Sequence, residues 1–268
     1  MFKFFKGVLG ERAFNGAVIS ALVLLTLFFI GIVASLLSYT DWNTFVSALL
    51  SEEIIFAIKL SVITATISTV VSLFLAIPVA YAISRTEFWG KDIVDSMLDL
   101  PIVISPIALG ACLLVFFNTP LGDAINNNLK FVFAVPGIIL AQVVVVCALA
   151  IRLLKSTFDS IDPRYEQVGR TLGCSKPEAF FKVTIPLAKN GLIAAGVLTW
   201  ARAIGEFGAT VTLAGATPMK TETLPIAIFL SLASADVGKA IAVIFILIII
   251  AIAALLFLRK VTGRRYQI

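Results

Sequence analysis

The 268-residue sequence contains no histidine. That absence removes the commonest metal ligand, the usual neutral-pH general base and the Ser-His-Asp triad together. Charge is scarce: Asp, Glu, Lys and Arg make up 14% of the chain, against ~25% in an average soluble domain. There are three cysteines. Cys112 and Cys147 lie in apolar runs and Cys174 in a polar loop, so free thiols are expected and not a disulfide framework. No G-x-G-x-x-G occurs, and no G-x-x-x-x-G-K-S/T: Gly90-Lys91 and Gly238-Lys239 are followed by Asp92 and Ala240. The chain is therefore expected to hold no ATP in a phosphate loop, and to carry no catalytic set, no metal site and no cofactor of its own. Any energy source is expected on another polypeptide.

What is present is apolar. Hydrophobic residues make up 60% of the chain and the mean hydropathy is +1.05, the composition of an integral membrane protein. A hydrocarbon core of ~30 Å needs ~20 apolar helical residues. Six stretches qualify, at about 13–38, 54–83, 94–117, 132–153, 187–214 and 237–258. They are too long for strands and lack the alternation of a lipid-facing barrel. The expectation is an all-α integral membrane protein with six transmembrane helices and a single membrane domain over 1–268. The first stretch is too long for a signal peptide and reads as a retained span.

The net charge of +5 is read by side of the membrane and not as a nucleic-acid footprint. Six spans put both termini on one side. That side collects Lys3, Lys6, Arg12, Arg85, Lys91, seven residues between Arg152 and Lys189, and Arg259, Lys260, Arg264 and Arg265: sixteen of the twenty-one basic residues. Lys59, Lys130, Lys220 and Lys239 fall on the other side, and Arg202 lies inside a span. The bias predicts N-in, C-in topology. Tyr39 and Trp42 then fall at the outer aromatic belt and Trp89 at the inner one. Pro78, Pro101, Pro106, Pro136, Gly191, Gly196, Gly205 and Gly208 lie within spans. They admit two readings: kinks with close helix packing, or hinges of a rocking transporter.

The longest polar segment, about 156–186, has explicit local grammar. Asp162 suits a helix cap and Pro163 a first turn. Tyr165, Val168 and Leu172 form one apolar stripe. Gly173 suits a left-handed helix end, and Ser175 with Glu178 a capping box. Two short helices across the inner face, joined at Gly173, are expected, either packed on their own bundle or forming a docking knob for a soluble partner. Glu166 is expected to be an exposed single charge near a helix N-terminus, and Pro186 to lead into a fifth span starting near Leu187. Within that span Arg202 and Glu206 stand at i, i+4 and can pair on one face. Such a pair either fixes bundle packing or places a guanidinium on an anion pathway. Lys59 is expected to snorkel. Ser61, Thr64, Thr66, Ser68 and Thr69 are expected to be helix-packing groups.

Gln167-Val168-Gly169-Arg170-Thr171-Leu172-Gly173, followed by Phe-Phe-x-Val-x-x-Pro at 180–186, resembles the EAA loop of permease subunits of ABC importers. The family pattern is Glu-Ala-Ala-x-x-x-Gly and then Ile-x-Leu-Pro. Here Gln167, Val168 and Gly169 occupy the Glu-Ala-Ala positions, with Glu166 adjacent, while Gly173 and Pro186 match. Residues 84–91, running on to Leu100-Pro101, resemble the second cytoplasmic loop of sulfate and molybdate permeases. Arg202 to Thr210, with Ala214-Gly215 and residues 220–225, is most similar to the molybdate/tungstate branch. The resemblance covers about 54–260.

It implies a multi-pass permease of a prokaryotic plasma membrane that forms the pathway for molybdate or tungstate. The alternatives are sulfate or another oxyanion, and an ion-coupled carrier. It also implies a second copy of this chain, a cytoplasmic ABC ATPase homodimer binding ATP-Mg, and an extracytoplasmic oxyanion-binding protein. The coupling-loop residues would be Tyr165, Glu166, Gln167, Val168, Gly169, Leu172, Gly173 and Pro186. Arg202 and Glu206 would be the pathway candidates.

The predicted topology is checked by single cysteines at 126 and 170 in a chain whose own three cysteines are replaced by serine. An impermeant maleimide applied to intact cells should label 126 and spare 170; the reverse pattern overturns the orientation.

Overall fold

The computed structural model describes residues 2–38 and 42–262. Tyr39, Asp41, Arg264 and Arg265, and the side chains of Lys3, Lys6, Arg12 and Trp42, lie outside the described residues. The described residues contain helices and no strand. In chain order they are α1 (Phe2–Leu37), α2 (Trp42–Leu49), α3 (Glu52–Arg85), α4 (Lys91–Val103), α5 (Pro106–Phe117), α6 (Pro120–Leu129), α7 (Val135–Asp159), α8 (Arg164–Thr171) and α9 (Lys176–Ala179). A π-helical turn (Phe180–Thr184) follows, then α10 (Ile185–Ile204), α11 (Gly208–Ala214), α12 (Leu224–Ala233) and α13 (Val237–Thr262).

The bundle is built on the α3–α7 pair, with α10 packed against both. One core cluster joins Ala65, Ala141, Val145 and Ala203 to Leu109 and Leu213. A second joins Ala76, Ala80, Ile151, Leu154 and Phe158 to Ala188 and Ala195. Alanine dominates these seams because, among lipid tails, helices gain by close approach and not by escape from water. Gly191 shows the limit: a Cβ there would lie 2.2 Å from Thr157 Cγ2. α13 packs on α10, α12 and α2, and a Lys239–Glu53 ion pair fastens it to α3. α1 stands apart: Ala13 to Ser35 are exposed throughout, as lipid-facing or partner-facing residues would be.

Two of the six expected spans are broken. The stretch 94–117 divides into α4 and α5, which meet at 108°. Ser105 and Pro106 explain the break. A residue before proline is held extended, Ser105 adopts that conformation, and its hydroxyl caps the Ala108 amide at 3.3 Å. Arg152 ties α4 to α7, pairing with Asp95 at 2.9 Å and with Asp99. The stretch 187–214 also fails to be one span: α10 ends at Ile204, Gly205 to Phe207 are non-helical, and α11 starts at Gly208. Moreover, α9, the π turn and α10 form one helix from Lys176 to Ile204. The second short helix expected over 176–183 is therefore the first two turns of this long helix. Proline lacks the amide that an α-helix needs; the π turn immediately before Pro186 re-registers the chain, with the Ile185 amide bonded to the Phe180 carbonyl. The short helices α2, α6 and α12 were not anticipated.

The two half-helices α5 and α11 pack backbone to backbone. A Cβ on Gly110 would lie 2.8 Å from the Ala209 carbonyl oxygen and from Thr212 Cβ. The backbone cannot yield as a side-chain tip can, so Gly110→Ala should destabilise the bundle by roughly 1–3 kcal/mol. Gly31→Ala, which meets nothing within 4 Å, should be silent. Thermal unfolding in detergent, followed by size exclusion, checks the difference. Equal melting of the two variants would refute the close α5–α11 contact.

Candidate functional site

The middle of the bundle is polar. Ser68 lies sixteen residues from the first residue of α3 and seventeen from its last, about 25 Å from each end at ~1.5 Å per residue. That is the midpoint of α3 and of its apolar run. Its hydroxyl lies 2.8 Å from Gln142 Oε1 and 3.2 Å from the Ile139 carbonyl. Gln142 is buried and its Nε2 donates to the Ala203 carbonyl at 3.1 Å. Ala203 stands next to the α10–α11 break, and its carbonyl also accepts the Glu206 amide at 3.1 Å. Three helices are thus joined by side-chain hydrogen bonds beside the break.

Arg202 and Glu206 sit at the same level and pair as the i, i+4 spacing predicts, Nη1 to Oε2 at 2.7 Å. Their environments differ sharply. The Glu206 side chain is 1% exposed and that of Arg202 39%. The second Glu206 oxygen accepts the Ala209 amide at 3.0 Å, so this carboxylate also caps α11. The guanidinium is left with one edge occupied and the rest open, able to donate to an oxyanion. The buried hydroxyls of Ser72, Thr199 and Thr210, each within about a turn of this level, have no hydrogen-bond partner among the described residues. They were not singled out as site residues from the sequence.

The expected packing groups of α3 do pack. Ser61 accepts the Leu224 amide at 2.7 Å and Thr66 accepts Trp200 Nε1 at 3.1 Å. Thr64 and Thr69 bond to their own helix backbone. Lys59 is exposed on α3.

At one end of the bundle, residues 160–175 form the loop that carries α8. Asp162 Oδ1 accepts the Arg164 amide at 2.9 Å. The helix closes with the Cys174 amide on the Gly169 carbonyl and the Gly173 amide on the Arg170 carbonyl, a Schellman pattern, with Gly173 at φ +97°. The Ser175–Glu178 capping box is present. Tyr165, Val168 and Leu172 are 58%, 56% and 81% exposed, so the apolar stripe faces away from its own bundle. Gln167 is exposed and Gly169 buried; a Cβ on Gly169 would stand 3.2 Å from Val183 Cγ2, where α8 crosses the π turn. Pro186 lies within the long helix.

Glu166 overturns its expectation of exposure. Its side chain is 13% exposed. Oε2 accepts the Tyr81 hydroxyl at 2.7 Å; Oε1 accepts the Thr184 hydroxyl at 2.8 Å and Arg85 Nε at 3.1 Å. Arg85 Nη2 also donates to the Ile161 carbonyl at 2.7 Å. The partners come from α3 and the π turn, over 80 and 18 residues away respectively, so spacing within the loop could not reveal them. Burial pushes the Glu166 carboxyl up, but the bonds from Tyr81, Thr184 and Arg85 outweigh it and hold its pKa below the usual carboxylate value. The group is ionised at neutral pH, and its stabilisation is lost only as pH falls through that lowered value.

Comparison with known proteins gives the family and the fold. Residues 68–265 match the family described as binding-protein-dependent transport system inner membrane component. A probable molybdenum ABC transporter permease protein of Haloferax volcanii is 36% identical over 206 residues, 77% of this chain and 75% of its own length. The molybdate/tungstate transport system permease protein WtpB of Pyrococcus furiosus is 34% identical over 224 residues, 84% of each. The fold matches that of a chain in the crystal structure of a bacterial alginate ABC transporter in complex with its alginate pentasaccharide-bound periplasmic protein. The TM-score is 0.76 at 20% identity, covering 97% of this chain and 96% of that one.

Gly173→Val forces a branched side chain into left-handed backbone, at about 1 kcal/mol or more, and should redirect the chain between α8 and the long helix. The six hydrophobic stretches should insert normally while energy-driven transport falls severalfold. Protease accessibility of loop 160–175 and vesicle transport, normalised to inserted protein, check this; normal transport would show that the joint carries no mechanical role.

Proposed function

The chain belongs to the family of inner membrane components of binding-protein-dependent transport systems, and from that membership we propose that it forms the translocation pathway for molybdate or tungstate in an ATP-driven importer. It is a multi-pass plasma-membrane permease subunit. The observation that carries the pathway assignment is the Arg202 guanidinium, 39% exposed within an apolar helix and beside a helix break. A tetrahedral dianion entering a low-dielectric region needs opposing charge along its way. Glu206, already paired to the same guanidinium, keeps that attraction weak enough for release. ATP hydrolysis is assigned to separate cytoplasmic subunits, since this sequence contains no phosphate-binding loop.

The exposed apolar stripe of α8 would dock in a cleft of the ATPase, which places loop 160–175 in the cytoplasm, the side favoured by the distribution of basic residues. One coupling loop per chain and two ATPases per importer make two copies of this chain the simplest assembly. A binding protein on the opposite side delivers the oxyanion.

The direct test is uptake of labelled molybdate into vesicles containing the reconstituted importer and its binding protein, with and without ATP. ATP-dependent uptake that excess tungstate suppresses and sulfate does not is the expected result. Suppression by sulfate alone would shift the substrate to the sulfate class. ATP-independent uptake driven by an ion gradient would overturn the proposal.

Arg202→Gln alone should lower the amount of assembled complex, because it strands a buried carboxylate, a loss of about 3–5 kcal/mol. Adding Glu206→Gln should restore assembly, since the amide still accepts the Ala209 N–H, while uptake per assembled complex stays at least tenfold down. Recovery of uptake together with assembly would make the pair a packing device only.

A further inference from the structure

Glu166 joins elements that the chain order does not. The loop is covalently continuous with α7 on one side and with the long helix at Lys176 on the other. α8 packs against the start of that long helix. Among the described residues, the hydrogen bonds that join α8 to α3 all end on Glu166: Tyr81 on one oxygen and Arg85 on the other. Tyr81 is itself wedged between rings, 5.8 Å from Phe158 and 4.6 Å from Phe180, edge-on to both. Arg85 is 8% exposed. An ion pair this enclosed, with hydrogen bonds on both carboxylate oxygens, resists lateral displacement in a way an exposed pair does not.

α3 continues from Tyr81 to Ser68, thirteen residues or ~20 Å further into the membrane. There Ser68 meets Gln142, and Gln142 holds the Ala203 carbonyl beside the α10–α11 break. A set of hydrogen bonds and one continuous helix, which carries Pro78 between the two ends, thus runs from the exposed face of α8 to the neighbourhood of Arg202 and Glu206.

We propose that Glu166 is a positioning residue for coupling: the strut through which movement of the docked α8 is delivered to α3, and by α3 to the mid-membrane polar layer. This rests on the reading of the chain as an ATP-driven permease. The strut explains why an acidic residue sits on the inward face of α8 while Tyr165 and Val168 on the same helix point outward. The docking face and the transmitting face are different faces of one short helix.

The test uses the complete importer reconstituted in vesicles. Glu166→Ala should still bring down the ATPase and still hydrolyse ATP, with uptake per ATP reduced about tenfold. Glu166→Gln and Tyr81→Phe, which each keep part of the bonding, should fall between. Tyr165→Ala, on the docking face, should instead weaken ATPase association. Unchanged uptake per ATP in Glu166→Ala, whatever the amount assembled, would make the cluster merely structural and overturn the strut.

A second measurement does not depend on the substrate. A spin label is placed on α3 by Phe74→Cys, an exposed position, in a chain otherwise free of cysteine. With Glu166 intact its mobility should change when the ATPases are trapped with vanadate, and it should not change in Glu166→Ala although trapping still occurs. A label that fails to respond with Glu166 in place, or that responds equally in its absence, sinks the strut. Failure of the wild-type vesicles to take up molybdate while the label responds would sink the substrate reading alone.

Discussion

A peptide group freed inside a bilayer has no water to bind, and the centre of this molecule is arranged around that constraint. α10 stops at Ile204, and the carbonyl of Ala203 beside that end is shared between the Glu206 amide and Gln142. Gln142 is held by Ser68. The next helix starts under a carboxylate, Glu206, whose charge is met by Arg202. Arg202 matters most: without it the buried Glu206 carboxylate keeps only the Ala209 amide, and a buried charge without its counter-ion costs several kcal/mol. The α3–α7 pair can therefore be read as the frame that makes a helix break tolerable. The break in turn leaves the Arg202 side chain partly exposed and not enclosed in a packed seam.

The same frame accounts for where small residues and prolines fall. Gly110 and Gly191 stand where backbones or side chains approach too closely for a Cβ. Pro106 opens a half-helix after a capped Ser105. Pro186 is accommodated inside a continuous helix because a π turn precedes it. Kinks and close packing, the first of the two readings of these residues, are what the helices show, each at different positions. Gly191 is a packing residue. Gly205 and Pro106 mark interruptions, and those two interruptions bring α5 and α11 together as paired half-helices. The half-helices and the polar layer adjoin the α10–α11 break, while the exposed stripe of α8 lies at one end of the bundle.

Much of this was readable in the sequence because its causes are local. Apolar runs of membrane length, the sided distribution of Lys and Arg, the Asp162 cap, the Schellman end at Gly173, the Ser175–Glu178 box and the i, i+4 pairing of Arg202 with Glu206 each depend on residues a few positions apart or on composition alone. Only the tertiary structure decided the rest. Whether 94–117 and 187–214 run straight depended on which backbone groups a neighbouring helix could satisfy. Glu166 looked exposed beside its sequence neighbours and is instead enclosed by Tyr81, Arg85 and Thr184. Gln142 drew no attention as one amide in an apolar run, yet it closes the polar layer. Sequence spacing records what a residue can do to its own turn of helix; which distant side chain arrives to meet it is settled by packing, and packing placed both the anchored carboxylate and the broken helix.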